Sequence, residues 1–191
     1  MIEGIVLVAG YSSRAGGMKM TFEINGKPLL EHTLQPMLQF CHQIWVVTGY
    51  EKELIETIVA KFSKVQTVYN SNFHRGMFSS VQTGVNMITS SNFFLTPGDI
   101  PFVRQQTYQA LLEKGEEVVI PTFKGRKGHP VLMKRILKDI ILSEPQDSNL
   151  RNVLHKFKPN LVEVEDKAIL KDVDTKEDYK KLYANFRKDS R

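Results

Sequence analysis

Between Gly10 and Lys19 the chain places three glycines (Gly10, Gly16, Gly17), two serines (Ser12, Ser13) and two fixed cations (Arg14, Lys19) in one short loop directly after an apolar run. Glycines let backbone amides approach phosphate oxygens closely, and a guanidinium with an ammonium neutralises polyphosphate charge, so a triphosphate is the ligand this loop suits. A plain glycine-rich turn with incidental cations would have the same composition. No Gly-Lys-Ser/Thr closes the loop, and Gly10 is not followed by a second glycine two residues on, which argues against an ATPase P-loop and a dinucleotide fingerprint. Gly98-Asp99 follows another apolar run. A hard carboxylate there suits Mg²⁺, and an aspartate after a strand serves equally as a cap or turn former. His129 stands in Gly128-His129-Pro130 beside Lys124, Arg126 and Lys127, either a site for an anionic acceptor or a solvated basic loop. His32, His42, His74 and His155 have no mutual spacing that suggests a metal site. The lone Cys41 sits in LQFCHQIWVV and reads as core rather than as a nucleophile.

These groups must be delivered to one place, and the chain alternates short apolar runs with stretches of helical period, the pattern of an α/β fold. Strands are expected at 5–9, 44–48, 65–69, 93–96 and 118–120; most lack polar alternation, as strands covered on both faces do. Leu54, Ile55, Ile58, Val59 and Phe62 form one helical stripe, Met77, Val81, Val85 and Ile88 another, and Tyr108, Leu111 and Leu112 suggest a third. A helix over 29–40 starts after Pro28 and should be kinked or shortened by Pro36. Beyond Ile120 the alternation breaks down: PTFKGRKGHPVLM reads as a loop entering a strand, with helices expected over 136–142 and 150–157 and extended pieces at 161–164 and 168–173. A last helix begins at Thr175 with a Thr175/Asp178 capping box and a stripe of Tyr179, Leu182, Tyr183 and Phe186. In an open α/β sheet ligands bind at the carboxyl ends of the strands, where the Gly10–Lys19 loop and Asp99 both fall.

Length allows one domain, 1–191, with a sizeable core, and 41% apolar with 25% charged residues excludes disorder and fibre. No apolar run reaches the roughly 20 residues needed to span a bilayer, and the N-terminus has no secretory pattern, so a cytoplasmic protein without membrane association is expected. The net charge of +5 suits anionic ligands. Six basic and three acidic residues between 176 and 191 supply much of it from a solvated tail, which argues against a nucleic-acid surface.

Taken with its flanks, the loop (Leu7-Val8-Ala9-Gly10-Tyr11-Ser12-Ser13-Arg14-Ala15-Gly16-Gly17-Met18-Lys19, then Gly26-Lys27-Pro28-Leu29-Leu30-Glu31-His32) resembles the LxAGxSxRxGxxK…GKPLLEH signature of the molybdenum cofactor nucleotidyltransferases. VTGY at 47–50, Asn70 with Gly76–Gly84, Gly98-Asp99-Ile100-Pro101, Gly128-His129-Pro130 and Asp172-Val173-Asp174-Thr175 extend the resemblance over nearly the whole chain, closest to the cytidylyltransferases. Val8, Ala15 and Ser71 depart from the usual residues. The resemblance implies a three-layer α/β/α sandwich with a mostly parallel sheet, the Rossmann-like nucleotidyltransferase fold. It implies transfer of CMP from CTP to the phosphate of molybdopterin, with a molybdenum hydroxylase as a transient partner. It assigns Leu7, Ala9, Gly10, Ser12, Arg14, Gly16, Lys19, Asn70, Ser79, Ser80 and Gly98 to the nucleotide, with Arg14 and Lys19 catalytic. Asp99 and Asp174 would hold Mg²⁺, with Asp172 the rival for the second place, and His129 and Arg126 would face the acceptor. Ser79 and Ser80 also read as the start of a helix. A guanylyltransferase, a sugar-phosphate nucleotidyltransferase and a non-catalytic carrier of the cofactor remain alternatives.

Overall fold

The structure, a computed structural model, describes residues 1–12, 17–145, 147–175 and 177–182. In chain order the strands and α-helices are β1 (Ile2–Leu7), β2 (Glu23–Ile24), β3 (Lys27–Pro28), α1 (Leu29–Met37), β4 (Gln43–Thr48), α2 (Lys52–Val59), β5 (Val65–Tyr69), α3 (Met77–Asn86), β6 (Asn92–Pro97), α4 (Gln105–Leu112), β7 (Val118–Phe123), β8 (Arg126–Lys127), β9 (Val131–Lys134), α5 (Leu137–Ser143), α6 (Leu150–His155) and β10 (Asn160–Glu163). The main sheet runs β10-β7-β9-β6-β1-β4-β5, and β8 pairs with β7 outside that path. β6, β1, β4 and β5 are mutually parallel, β9 is antiparallel to both β6 and β7, and β10 is parallel to β7.

Period-two alternation explains why both faces are apolar. Ile44 and Val46 of β4 point into a cluster with Leu30, Ile55, Tyr108 and Leu111, while Val47 points into the opposite one with Val81, Val85, Ile141 and Val153. The sheet thus lies between α1, α2 and α4 on one side and α3, α5 and α6 on the other, the three-layer α/β/α sandwich with a mostly parallel sheet that the sequence implied. A buried carboxylate ties the lower edge together: Glu3 accepts from the amides of Thr89 and Ser90, both at 2.7 Å, and from Trp45 Nε1 at 3.1 Å. Burial alone would raise this carboxyl, but the bonds from Ser90, Trp45 and Thr89 outweigh it and hold it below the ordinary range.

The first half of the chain follows its expected pattern within a few residues. α1 stops at Met37, one residue past Pro36. In the second half α5, α6 and β10 lie within two residues of their expected places, and two other segments depart. The loop expected after Ile120 is instead a hairpin: β7 continues through Pro121 to Phe123, and Lys124 and Gly125, both with left-handed φ (50° and 74°), turn it into β8. The extended piece expected at 168–173 is overturned by a 3₁₀ helix, Lys167–Leu170, whose first turn is capped by Asp166 Oδ1 accepting from the Ala168 amide at 3.0 Å. The capping box forms reciprocally, the Thr175 amide and hydroxyl donating to Asp178 while the Asp178 amide donates back to Thr175 Oγ1. Helical residues 177–182 then turn Tyr179 and Leu182 onto the core, with Tyr179 edge-on to Phe22. Tyr183 and Phe186 lie outside the described residues. None of the described helices is long and apolar enough to cross a membrane.

Candidate active site

A cleft of about 660 Å³ opens where β1 and β6 end, walled by Gly10–Ser12, Lys19, Asp99, Arg126–His129 and the stretch from Ile169 to Asp174. At its floor the Lys19 ammonium lies between two carboxylates, 2.5 Å from Asp99 Oδ2 and 2.9 Å from Asp174 Oδ1. All three side chains are largely buried, at 14%, 18% and 23% exposure, so the pairing is shielded from solvent screening. Burial pulls the Lys19 ammonium toward neutrality, and the charge and hydrogen bond of Asp99, then those of Asp174, outweigh it and hold the group above the ordinary lysine range.

Each member is placed by its local sequence. Buried Met18 and Met20 pin the 3₁₀ turn Lys19–Thr21 on either side of Lys19, and Thr21 Oγ1 closes it on the Met18 carbonyl at 2.8 Å. Asp99 follows β6 because Gly98 fits against β1: its amide donates to the Leu7 carbonyl at 2.9 Å, and any Cβ there would collide with Val8. Thr33 Oγ1 fixes the other side of Gly98 by donating to its carbonyl at 2.8 Å. Asp174 is brought in by its neighbour, since Val173 is buried and its amide donates to the Asp99 carbonyl at 2.9 Å. Asp172 also lines the cleft but is exposed and makes no bond to Lys19.

His129 is held by its backbone, its amide donating to the Ile169 carbonyl at 3.0 Å; Gly128 packs so tightly on Ile169 that a side chain would overlap that carbonyl. Burial pushes the imidazole below its ordinary range, only partly offset by the nearby Leu95 backbone and by the charge of Asp99. Its Nδ1 is inaccessible and has no hydrogen-bond partner. Arg126 and Lys127 are exposed on the cleft wall. Leu7, Gly10 and Ser12 line the cleft, whereas Ala9 is buried and its carbonyl accepts from the Tyr50 amide at 3.2 Å. Arg14 and Gly16 lie outside the described residues.

Asn70, Ser79 and Ser80 are buried and hydrogen-bond one another: Asn70 Nδ2 donates to both serine hydroxyls, at 2.8 and 3.0 Å, and its Oδ1 accepts from the Asn72 amide. Ser79 Oγ in turn donates to the Gly76 and Asn72 carbonyls. They build the turn that starts α3. Among the residues missing from the sequence reading are Tyr11, which lines the cleft with its ring 5.3 Å from both Tyr50 and Phe73, and Thr33 and Ile169, which act on the site through single backbone contacts. Only the position of Tyr11 inside the glycine-rich loop could have signalled it. Cys41 is buried with its thiol pushed up to about 12, chiefly by burial, so it is not a thiolate at neutral pH.

The two carboxylates straddle one cation in a place where hard oxygen donors converge, which is what Mg²⁺ requires when it completes its shell with water and phosphate oxygens. Asp99 and Asp174 are donors of the hard-oxygen kind that a divalent cation takes, and among the described residues no third His, Cys, Asp or Glu joins them. Residues 4–163 match the MobA-like NTP transferase domain. Over 93% of its length, and of the relative's, the chain is 28% identical to the molybdenum cofactor cytidylyltransferase of Escherichia coli (strain K12). It is 31% identical to a probable molybdenum cofactor guanylyltransferase of Thermococcus sibiricus over 64% of this chain and 62% of that one. The crystal structure of Rv0371c from Mycobacterium tuberculosis H37Rv superimposes with a TM-score of 0.83 at 22% identity, covering 96% and 97% of the two chains. A structure of Rv0371c in complex with manganese gives 0.78 at 21% identity over 96% and 98%, and at that identity the likeness is one of fold.

Proposed function

The chain belongs to the MobA-like NTP transferase domain family, and on that premise we propose that it transfers CMP from CTP to the phosphate of molybdopterin, releasing pyrophosphate, for use by molybdenum hydroxylases. The observation that carries this reading is the Lys19 ammonium between Asp99 and Asp174 at the floor of a cleft at the carboxyl ends of the parallel strands. Full-length similarity to a cytidylyltransferase supports CTP and the acceptor.

In the proposed reaction an oxygen of the acceptor phosphate bonds to the α-phosphorus of CTP as the bond from that phosphorus to the bridging oxygen breaks and pyrophosphate departs. Positioning and charge neutralisation suffice, and no protein nucleophile is needed. The Gly10–Lys19 loop offers backbone amides to the triphosphate, with Arg14 and Lys19 as its cations. Asp99 and Asp174 would hold Mg²⁺, which when bound neutralises charge at the reacting phosphate. Lys19 then exchanges its carboxylate partners for phosphate oxygens. His129, Arg126 and Lys127 form the opposite wall, on the acceptor side. Leu7, Gly10 and Ser12 border the nucleotide, Ala9 and Gly98 support that border from behind, and Asn70, Ser79 and Ser80 hold the turn that starts α3.

Pyrophosphate release measured with each nucleoside triphosphate, Mg²⁺ and molybdopterin-bearing molybdenum, beside a sugar-phosphate control, tests this reading. CTP with molybdopterin should turn over and the sugar phosphate should not. Turnover of GTP alone would place the chain with the guanylyltransferases, and no release with any pair would leave it a carrier of the cofactor.

A further inference from the structure

The two ends of the main sheet are finished differently. At one end β10 follows Pro159 and carries Glu163, devices that keep a strand edge from recruiting another chain. At the other end β5, Val65-Gln66-Thr67-Val68-Tyr69, has no charge and no proline, and Val65, Thr67 and Val68 are β-branched. Its inner side is taken: the Lys64 carbonyl accepts from the Ile44 amide at 2.8 Å, and the Asn70 amide donates to the Thr48 carbonyl at 2.9 Å. Backbone groups alternate in direction along a strand, so Gln66 and Val68 also face β4, and Val65, Thr67 and Tyr69 face outward. The Val65 amide closes the preceding turn on the Phe62 carbonyl at 3.1 Å. That leaves the Val65 carbonyl and both backbone groups of Thr67 and of Tyr69 without a hydrogen-bond partner among the described residues. Gln66 and Tyr69 are exposed beside them.

We propose that β5 is a dimerisation edge, pairing antiparallel with β5 of a second copy of this chain about a two-fold axis at Thr67. The pattern of unpaired groups selects this occupant. An axis there sets Thr67 opposite Thr67 and Val65 opposite Tyr69, so the two Thr67 residues exchange both of their bonds and each Tyr69 amide meets the Val65 carbonyl of the second copy. Every outward group of the strand except the Tyr69 carbonyl then has a partner. The side chains agree with this register: Val65 against Tyr69 is a β-branched and aromatic pair, Gln66 falls opposite Val68, Lys64 falls opposite Asn70, and no like charges meet. A second copy supplies the matching pattern by symmetry. A five-residue ladder is smaller than a standard interface, so the association is reversible and concentration-dependent. The inference is independent of the nucleotidyltransferase reading, since no residue of β5 lines the cleft.

Sedimentation equilibrium over about a hundredfold range of protein concentration tests the proposal, and the wild type should pass from monomer to dimer within it. Thr67→Lys and Thr67→Glu each set like charges against one another at the axis and should weaken dimerisation by about tenfold or more. Mixed in equal amounts, the two variants bring opposite charges together there and should associate to within about threefold of the wild type. Thr67→Pro removes only an outward amide, leaves the bonds to β4 in place, and should be folded and monomeric. Circular dichroism and melting confirm the fold of each variant. A wild type that stays monomeric throughout, dimerisation unchanged by these substitutions, or a mixture of Thr67→Lys with Thr67→Glu that associates no better than its components would overturn the proposal.

Discussion

Asp99 reaches Lys19 from the tip of β6, a strand paired with neighbours on both sides, whereas Asp174 reaches it from irregular chain that belongs to no strand of the sheet. The first region is fixed by ladders of backbone hydrogen bonds. The second hangs on side chains: Asp166 accepts from the Arg104 amide, Thr107 Oγ1 and the Ala168 amide, and Glu163 accepts from Thr122 Oγ1 and the Lys124 amide. One carboxylate is therefore presented by continuous backbone pairing, and its partner by isolated contacts: the buried Asp166, the exposed Glu163 and the single bond from the Val173 amide to the Asp99 carbonyl. The site is as well ordered as the weaker of these two supports.

The largest effect tests the two carboxylates directly. Asp99→Asn should lower turnover by about a thousandfold or more by weakening metal binding, with little change in melting temperature because the support of β6 remains. Asp174→Asn should match it in kinetics; an Asp174 variant near wild type, with Asp172→Asn inactive, would reassign the second carboxylate. Next comes the residue where the regions meet. Lys19→Met should cost about a hundredfold in turnover, about 3 kcal/mol of transition-state stabilisation. The same variant should bind Mn²⁺ about tenfold more tightly without nucleotide, as measured by electron paramagnetic resonance, because the ammonium no longer occupies the place between the carboxylates. Unchanged Mn²⁺ affinity would mean that Lys19 does not stand in for the ion.

A matched pair sharpens the contrast at smaller amplitude. Glu3→Gln and Asp166→Asn each remove a buried carboxylate that accepts backbone amides, and each should cost about 1–3 kcal/mol in denaturant unfolding. Only Asp166→Asn should also lower turnover, because Ile169 and Val173, which hold His129 and Asp99, follow from the turn it caps. The Glu3 variant carries a pH signature as well. Its folded carboxyl sits below the unfolded value of 4.5, so the wild type gains stability above that value and loses it as pH falls through the folded one. Glu3→Gln should flatten this acid limb, and equal acid sensitivity in both proteins would count against the assignment. The smallest effect concerns base choice: Ala9→Gly should relax a preference for CTP over GTP by several-fold without inverting it, read from kcat/KM for the two nucleotides.

The parallel region was legible because its strands are covered on both faces, and Ile44–Thr48 or Phe93–Thr96 can be apolar only for that reason. The Gly10–Lys19 loop and Gly98-Asp99 were legible as chemistry because they follow such runs. In the second region α5, α6 and β10 were legible by their period and apolar runs, and the hairpin and the 3₁₀ turn were not. Lys124-Gly125 is an uncommon sequence for a tight hairpin turn, and Pro121 within β7 disguised the strand. The 3₁₀ helix Lys167–Leu170 is too short to show a period and depends on Asp166, whose partners at Arg104 and Thr107 lie 62 and 59 residues away.

By itself the sequence determined the layer architecture, the phosphate-suited loop and the first carboxylate, because hydrophobic period and turn chemistry act over a few residues. Only the tertiary structure decided that Asp174 rather than Asp172 meets Lys19, that Ser79 and Ser80 turn inward to Asn70, and that the His129 backbone is fixed by Ile169. Two of these follow from packing between segments far apart in the chain, Val173 against Asp99 and Gly128 against Ile169, and the third from the way the turn after β5 folds Asn70 back onto the start of α3. Such approaches are set by how the layers close, and no local pattern encodes them.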